Sequence, residues 1–446
     1  MEPVKNVVFL IVDDLRPELN CYGQNSVKSP HIDQLAQRSV KYNRAYCQVP
    51  VCGASRASLL TGVEPQRSRF IDFFARADED AKGIKTLPEH LIAHGFKTLS
   101  RGKVFHHVDD ATQSWSEAPW QSTIQSTAYV DPENRRNWEE IVSKPRIGNQ
   151  PHFGLGPAWE AVDAPDDAYT DAQTADQLIR DLDAFEADGG PFFLAGGFYR
   201  PHLPFLVPKP YWDLYDPAEI QPNFMDRPTD VPAEMLHKSG ELWRMYTSVH
   251  PENLTDEDTA RNLIHGYWAS VSFLDAQIGR VLDHLDTLSL KHETAVVLCV
   301  DHGWNLGEHG QWCKHCLYET SLHVPLIIHL PGQEEGSSID HPVSNLDLYP
   351  TILDLLAVPT PEHDLAGQVL HQTDASTHAP VFSRFHNGES IRTERWRYSE
   401  WRNKDGGVTG RTLFDHHSDP QELRNLAALP DHEDVVKELS GLLRWM

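Results

Sequence analysis

Cys52 stands four residues before Arg56 in the run Val51-Cys52-Gly53-Ala54-Ser55-Arg56-Ala57-Ser58-Leu59-Leu60-Thr61-Gly62. On a helix that spacing is one turn, so thiol and guanidinium share a face. A cysteine taken alone is more often a buried, inert thiol than a nucleophile. The pairs Asp13-Asp14 and Asp301-His302 could bind a hard divalent cation such as Ca²⁺ if they met. Taken separately, each Asp could equally cap a helix or a turn. Cys313-Lys314-His315-Cys316 has a spacing suited to zinc or redox chemistry, but no second Cys pair completes a structural zinc site. Two ordinary thiols flanking Lys314 are the simpler reading. Lys103, His106 and His202 are, one by one, residues usually found solvated or satisfied in a core.

The elements that would position these groups can be read from the pattern. Asn6 to Val12 (NVVFLIV) reads as a buried strand ending at Asp13-Asp14, and Thr294 to Val300 (TAVVLCV) as another ending at Asp301-His302. Ligand crevices in open α/β sheets form at such strand ends, so both pairs and Cys52 are expected at one sheet edge. Thr86 to Glu89 reads as a capping box opening a short helix that stops near Gly95, before a strand from Phe96 to Leu99. Pro191 to Gly197 is a further strand, and Asp256 to about Leu288 one helix or two. Arg101 to Asp166 and Pro201 to Pro251 lack a sustained period and read as long surface excursions. From about Pro359 a polar linker leads to strand-like runs at Pro380 to Ser383 and Trp396 to Trp401, then an amphipathic helix from about His432. The expected division is a catalytic domain over 1–357 and a smaller α+β subdomain with an antiparallel sheet over 358–446.

Composition bounds the partners. The chain has 446 residues, 40% of them hydrophobic and 23% charged, as in ordinary soluble proteins. A formal charge of -26 argues against nucleic acid, whose binding depends on Lys and Arg displacing counterions. A pocket of a few convergent cations can still hold a small anion, while the acidic surface should repel a long polyanion more than a short one. No apolar run approaches a membrane helix, and Val7 to Val12 is too short for a signal peptide. The expectation is a soluble chain without a membrane partner, periplasmic or secreted if a leader was trimmed and cytoplasmic otherwise.

The Cys52 to Arg56 segment, with its following Leu-Thr-Gly, resembles the Cys-x-Pro/Ala-x-Arg signature of formylglycine-dependent sulfatases in the alkaline phosphatase superfamily, with Ala54 where Pro is commoner. The resemblance runs from Asn6 to Leu413-Phe414-Asp415 and Asp419-Pro420. It is most like the iduronate-2-sulfatase branch at Asp301 to Trp304, Gly307 to Gly310, Gly102 to His106 and Ala269 to Asp275. It implies a large mixed, mostly parallel α/β sheet flanked by helices. It further implies that a formylglycine-generating enzyme, or an equivalent, converts Cys52 to formylglycine (3-oxoalanine). The hydrated aldehyde then supplies a hydroxyl nucleophile, and a sulfated diol can expel sulfate by collapsing to the aldehyde, an exit closed to a thiol.

Asp13, Asp14, Asp301 and His302, with residue 52, become ligands of one divalent cation, Ca²⁺; His302 stands where Asn is common. A helix starting after Cys52 would aim its N-terminal dipole at the nucleophile, with Arg56 bracing the same oxygen. By the same resemblance Lys103 holds a sulfate oxygen, His106 assists sulfate release, His202 is the general acid and Lys314 contacts the ester oxygen. Arg200 is a candidate for binding the sugar, and Trp304, Glu308 and His309, which surround the Lys314 loop, could line the same site or equally be packing residues. The implied substrate is a sulfated oligosaccharide, a glycosaminoglycan or algal polysaccharide fragment. Two alternatives stand: a phosphodiesterase or phosphonate monoester hydrolase of the same superfamily, and a catalytically silent carbohydrate-binding protein, which should lack a ligand or nucleophile that this chain retains.

Overall fold

Every residue of Asn6–Val12 is buried, as is every residue of Thr294–Val300 and Phe192–Phe198. Uninterrupted apolar strands of this kind need cover on both faces, which the centre of a helix-flanked sheet provides. The computed structural model describes residues 4–146, 151–222, 227–228, 230–370 and 379–445. In it Asn6–Val12 pairs in parallel with Phe192–Phe198 on one side and Thr294–Val300 on the other; Lys97–Gly102 adds a further parallel strand beyond Phe192–Phe198. Across Thr294–Val300 the direction reverses. His323–His329 runs antiparallel to it and to Val40–Tyr46, whose far edge takes Ser337–Ile339 in parallel. The eight-stranded sheet is thus mixed and mostly parallel.

The polar cap of Asp256, which accepts the Thr259 amide at 2.9 Å, opens one continuous helix, Glu257–Thr287. It packs against Thr170–Asp188 and Pro30–Gln37. The buried helix Cys52–Thr61 packs against Leu87–Ala93 and Leu348–Leu355. Thr86 caps Leu87–Ala93 through the Glu89 amide at 3.2 Å. The following strand runs to Gly102, beyond the expected Leu99, which brings Lys103 to the sheet edge. A Cβ on Gly197 would lie 2.0 Å from the Lys103 carbonyl, so only glycine lets these strand ends approach.

Four antiparallel strands, Val381–Phe385, Gly388–Arg392, Trp396–Arg402 and Val408–Asp415, form a second sheet. One face, with Ile391, Tyr398 and Leu413, joins Val436 and Leu439 of the helix Glu433–Leu442 in a small core. Val381, Trp401 and Phe414 join the main core instead. Part of the linker is pinned to the larger sheet's helices, since the Ala366 amide donates to the Gly62 carbonyl at 2.9 Å. Residues 371–378 of the expected linker lie outside the described residues. Among the described residues, no helix is long and apolar enough to cross a membrane.

Candidate active site

The parallel register Val12↔Val300 sets Asp13 and Asp301 side by side. Backbone bonds carry the ladder one residue past the strands: Asp13 N to Phe198 O at 3.2 Å, Asp301 N to Val12 O at 3.1 Å, Lys103 N to Gly197 O at 2.9 Å. Three chemical groups are thereby fixed on one edge. Asp14 turns the chain at φ 61°, a left-handed conformation that Asp tolerates better than most residues. Its amide and that of His302 both donate to Asp301 Oδ1, at 3.2 and 2.8 Å.

Cys52 opens its helix, and His302 Nε2 lies 3.3 Å from its sulfur. Ser55 Oγ donates to the Asp301 carbonyl at 2.5 Å. Arg56 is fully buried; Nε donates to Asp301 Oδ2 at 2.8 Å and Nη1 to the Val104 carbonyl at 3.1 Å and to that of Lys103. The expected brace on the nucleophile's oxygen is therefore mainly a brace on Asp301. The Nη2 arm alone lacks a hydrogen bond, 3.7 Å from Asp13 Oδ1.

Two lysines flank the centre. Lys103 pairs with Asp13 Oδ2, and Lys314 lies 3.1 Å from Asp14 Oδ2, 4.9 Å above the Trp304 ring. His202 Nε2 is 3.7 Å from Asp14 Oδ2, and its Nδ1 is 2.5 Å from the Leu203 carbonyl. His106, packed edge-on to Phe73, is half-buried, with a buried Nδ1 that has no hydrogen bond. Glu241 completes the group: Oε1 is 2.8 Å from Lys314 Nζ and 3.6 Å from His202 Nε2. No spacing in the sequence marks Glu241, which belongs to a stretch that reads as surface loop.

Burial sets the electrostatics, with neighbouring charges deciding the sign. Burial raises the Asp13 carboxyl, but Lys103, His202 and Arg56 overrule it and hold it well below the usual range. Burial dominates at Asp14 and Asp301, both raised. Burial, then Lys314, pushes His202 down to about 3; burial, then Lys103, holds His106 well below the usual imidazole value. Both imidazoles are neutral near pH 7. Burial, then Asp13, pushes the Cys52 thiol up to about 12, so the unmodified side chain is a poor nucleophile in spite of two nearby lysines.

The donor set fits a hard cation. Ligand atoms of Asp13, Cys52, Asp301 and His302 lie within 4.8 Å of one another, and the buried oxygens Asp13 Oδ1 and Asp14 Oδ1 have no hydrogen-bond partner. Buried carboxylate oxygens are rarely left so without a ligand.

The four candidates for the sugar site are differently employed. Glu308 accepts from Arg16 Nη1 and from the Leu306 amide, each at 2.6 Å. His309 Nε2 meets the Gln421 carbonyl at 2.8 Å and the ring stacks on Tyr318. Arg200 donates to the carbonyls of His202 and Ser126, both at 2.6 Å, and so shapes the His202 turn. Trp304 is the buried floor under Lys314. In the Cys-x-x-Cys run, positive φ at Cys313 and His315 turns Lys314 inward. Cys316 lies 3.1 Å from Ser321 Oγ, and among the described residues neither thiol joins a cluster of three ligating side chains.

A family model described as Sulfatase matches residues 5–358, and another described as N-sulphoglucosamine sulphohydrolase, C-terminal, matches 307–445. Iduronate 2-sulfatase of Homo sapiens is 36% identical over 341 residues, covering 74% of this chain. The chain spans 60% of that relative's length. A phosphonate monoester hydrolase of Agrobacterium radiobacter is similar in fold, with TM-score 0.75 at 22% identity over 98% of this chain and 94% of that one. So is a protein solved with its substrate D-glucosamine-2-N,6-O-disulfate, with TM-score 0.74 at 20% identity over 99% and 97%.

Proposed function

This chain belongs to the sulfatase family, and on that premise we propose that it hydrolyses sulfate esters of sulfated saccharides, in particular glycosaminoglycan fragments. The observation that carries the reading is the set of carboxylates Asp13, Asp14 and Asp301, with two unpartnered oxygens, gathered around Cys52 at a helix N-terminus. In this reading Asp13, Asp14, Asp301 and His302 hold one divalent cation, Ca²⁺, which would polarise a sulfate oxygen. Cys52, matured to formylglycine by a formylglycine-generating enzyme, would supply a hydroxyl that can be regenerated without a second attack at sulfur. The high thiol pKa favours this over direct use of cysteine.

The remaining roles follow from position. Helix amides at residue 52 face the incoming anion, and Lys103, across Asp13, takes one sulfate oxygen. His106 sits neutral beside Lys103, ready to accept the proton of the attacking hydroxyl. Lys314 and His202 occupy the Asp14 side, where the leaving oxygen departs. Because His202 rests neutral, the resident proton donor there is the Lys314 ammonium, and His202 serves as general acid only after gaining a proton.

Sulfate release from defined sulfated oligosaccharides tests the proposal, with ¹⁸O-water to place the cleavage at S–O. Turnover should accompany formylglycine at residue 52 by peptide mass spectrometry. Fully active protein carrying only cysteine there would sink the mechanism. Higher kcat/KM on a phosphonate monoester than on any sulfate ester would favour the superfamily's other activity.

A further inference from the structure

We propose that Glu241 is a positioning residue that holds Lys314, and with it His202, at the leaving oxygen; this rests on the reading of Lys314 as the group that meets that oxygen. Glu241 lies in Gly240–Met245, a helical turn of the excursion that follows His202. Its Oε1 touches both leaving-side groups, and Oε2 is 3.8 Å from His315 Nδ1. Lys314 and His202 also touch Asp14, so each is bracketed between the same two carboxylates.

The bracket has a mechanical consequence. Lys314 is only 2% exposed, so its partners, not water, fix where the ammonium points. An ammonium has three donors; with Asp14 and Glu241 taking two from different sides, the third is aimed rather than free to swing. Without Glu241 the ammonium would settle on Asp14. The turn carrying Glu241 is tied to the Lys314 loop, because the Trp312 amide donates to Ser239 Oγ at 2.9 Å. Two segments about seventy residues apart are thereby locked together.

Exposure places this group at the open side of the site. The side chains of Glu241, His202 and His315 are 19%, 22% and 29% exposed, whereas Asp13, Asp14 and Asp301 are at 0%. A sugar entering must approach past the partly exposed residues, leaving oxygen nearest Lys314. Although burial raises the Glu241 carboxyl, Lys314 and His315 pull it down to about 2, so it is charged wherever the enzyme works.

The test is a leaving-group series: aryl sulfates from nitrophenyl to phenyl, and one sugar sulfate. It is run on wild type, Glu241→Gln, Lys314→Ala and the double variant, each corrected for formylglycine content. Glu241→Gln should lower kcat on the sugar sulfate by up to about 100-fold, with nitrophenyl sulfate and KM changed by less than about 3-fold. Lys314→Ala should show the same slope more steeply, and the double variant should be no worse than Lys314→Ala, since Glu241 acts through the lysine. Glu241→Asp should recover part of the loss and stands in if Glu241→Gln does not fold. An equal loss of Glu241→Gln across the series, or additivity with Lys314→Ala, overturns the proposal while leaving Lys314 in its role. A flat series for Lys314→Ala overturns the role of Lys314, and the proposal with it.

Discussion

Two clusters of charge lie beyond the same end, at Tyr46 and His323, of the strand pair formed by Val40–Tyr46 and His323–His329: one around Asp13 and Asp301, the other around Glu319, Arg397 and Glu422. Both bring ligating atoms within 4.8 Å of one another, Glu319, His416 and Glu422 in the second case. In the second every carboxylate oxygen has a partner. Glu319 Oε1 accepts from Tyr46 at 2.8 Å, and Oε2 pairs with Arg397 and, at 3.3 Å, with Arg392. Glu422 Oε1 is 2.7 Å from Arg397 Nε and 3.0 Å from His416, and Oε2 accepts the Glu319 amide at 2.7 Å. Two glutamates balance two arginines. Around Asp13, four carboxylates (Asp13, Asp14, Asp301 and Glu241) face Arg56, Lys103 and Lys314, and three oxygens, Asp13 Oδ1, Asp14 Oδ1 and Glu241 Oε2, have no hydrogen bond. Proximity of ligands thus does not make a metal site; unanswered oxygens do. The first cluster is built to receive something, and the second joins the C-terminal sheet to the main core.

The largest expected effect separates the two directly. Cys52→Ala and Asp14→Asn should each lower kcat/KM on a sugar sulfate by about 10³-fold or more, on the scale of losing a nucleophile or a charge-stabilising group. Neither should lower the unfolding midpoint of metal-stripped protein by much. Asp14→Asn removes one charge from a group of four carboxylates facing three cations, and Lys314, which loses Asp14, keeps Glu241 at 2.8 Å. A large loss of stability in stripped Asp14→Asn would mean that this cluster is structural after all.

Arg397→Leu should do the reverse. It leaves the buried Glu422 and the half-buried Glu319 with one arginine between them, a cost of about 3 kcal/mol in denaturant unfolding. Turnover per folded molecule should be unchanged. Loss of activity at full stability would show that the second cluster reaches the site. A smaller effect sharpens the metal side: Ca²⁺ at about 100 times its dissociation constant should stabilise wild type by about 2.7 kcal/mol and Asp14→Asn by far less. Equal stabilisation of both would place the cation elsewhere.

The two clusters also differ in how far the sequence announces them. Asp13 and Asp301 are legible because uninterrupted apolar strands stop on them, and helix spacing places Cys52 and Arg56 together. Local pattern carries periodicity, strand ends and caps. It does not carry partners: that Arg56 spends its donors on Asp301 and backbone carbonyls depends on contacts 245 and 47 residues away. Glu241 and the Glu319 cluster are illegible for the same reason, since Arg397 and Glu422 reach Glu319 across 78 and 103 residues. Strand direction escapes too. His323–His329 is as apolar as its neighbours, and only its pairing makes it antiparallel.

The smallest effect concerns acid. Burial raises the Glu319 and Glu422 carboxyls, but Arg392 and Arg397 at the first, and Arg397 and His416 at the second, outweigh it and leave both below the usual glutamate value. A carboxyl depressed in the folded state binds its proton more readily when unfolded, so its stabilisation is complete above the unfolded pKa, about 4.3. It is lost as pH falls through the lower folded values. Each tenfold difference in proton affinity is worth about 1.4 kcal/mol. Stability of metal-stripped wild type should therefore change little on this account above about pH 5 and decline below it. In Arg397→Leu the decline should be shallower, because the lost arginine is the one cation that helps to depress both glutamates, with Arg392 left at Glu319 and His416 at Glu422. Unfolding midpoints taken from pH 7 to 3 on Cys52→Ala protein, with and without Arg397→Leu, would read this difference apart from catalysis. An acid limb of equal slope in both would mean that Arg397 does not set the glutamates' charge, and the balance that distinguishes this cluster from the one at Asp13 would lose its support.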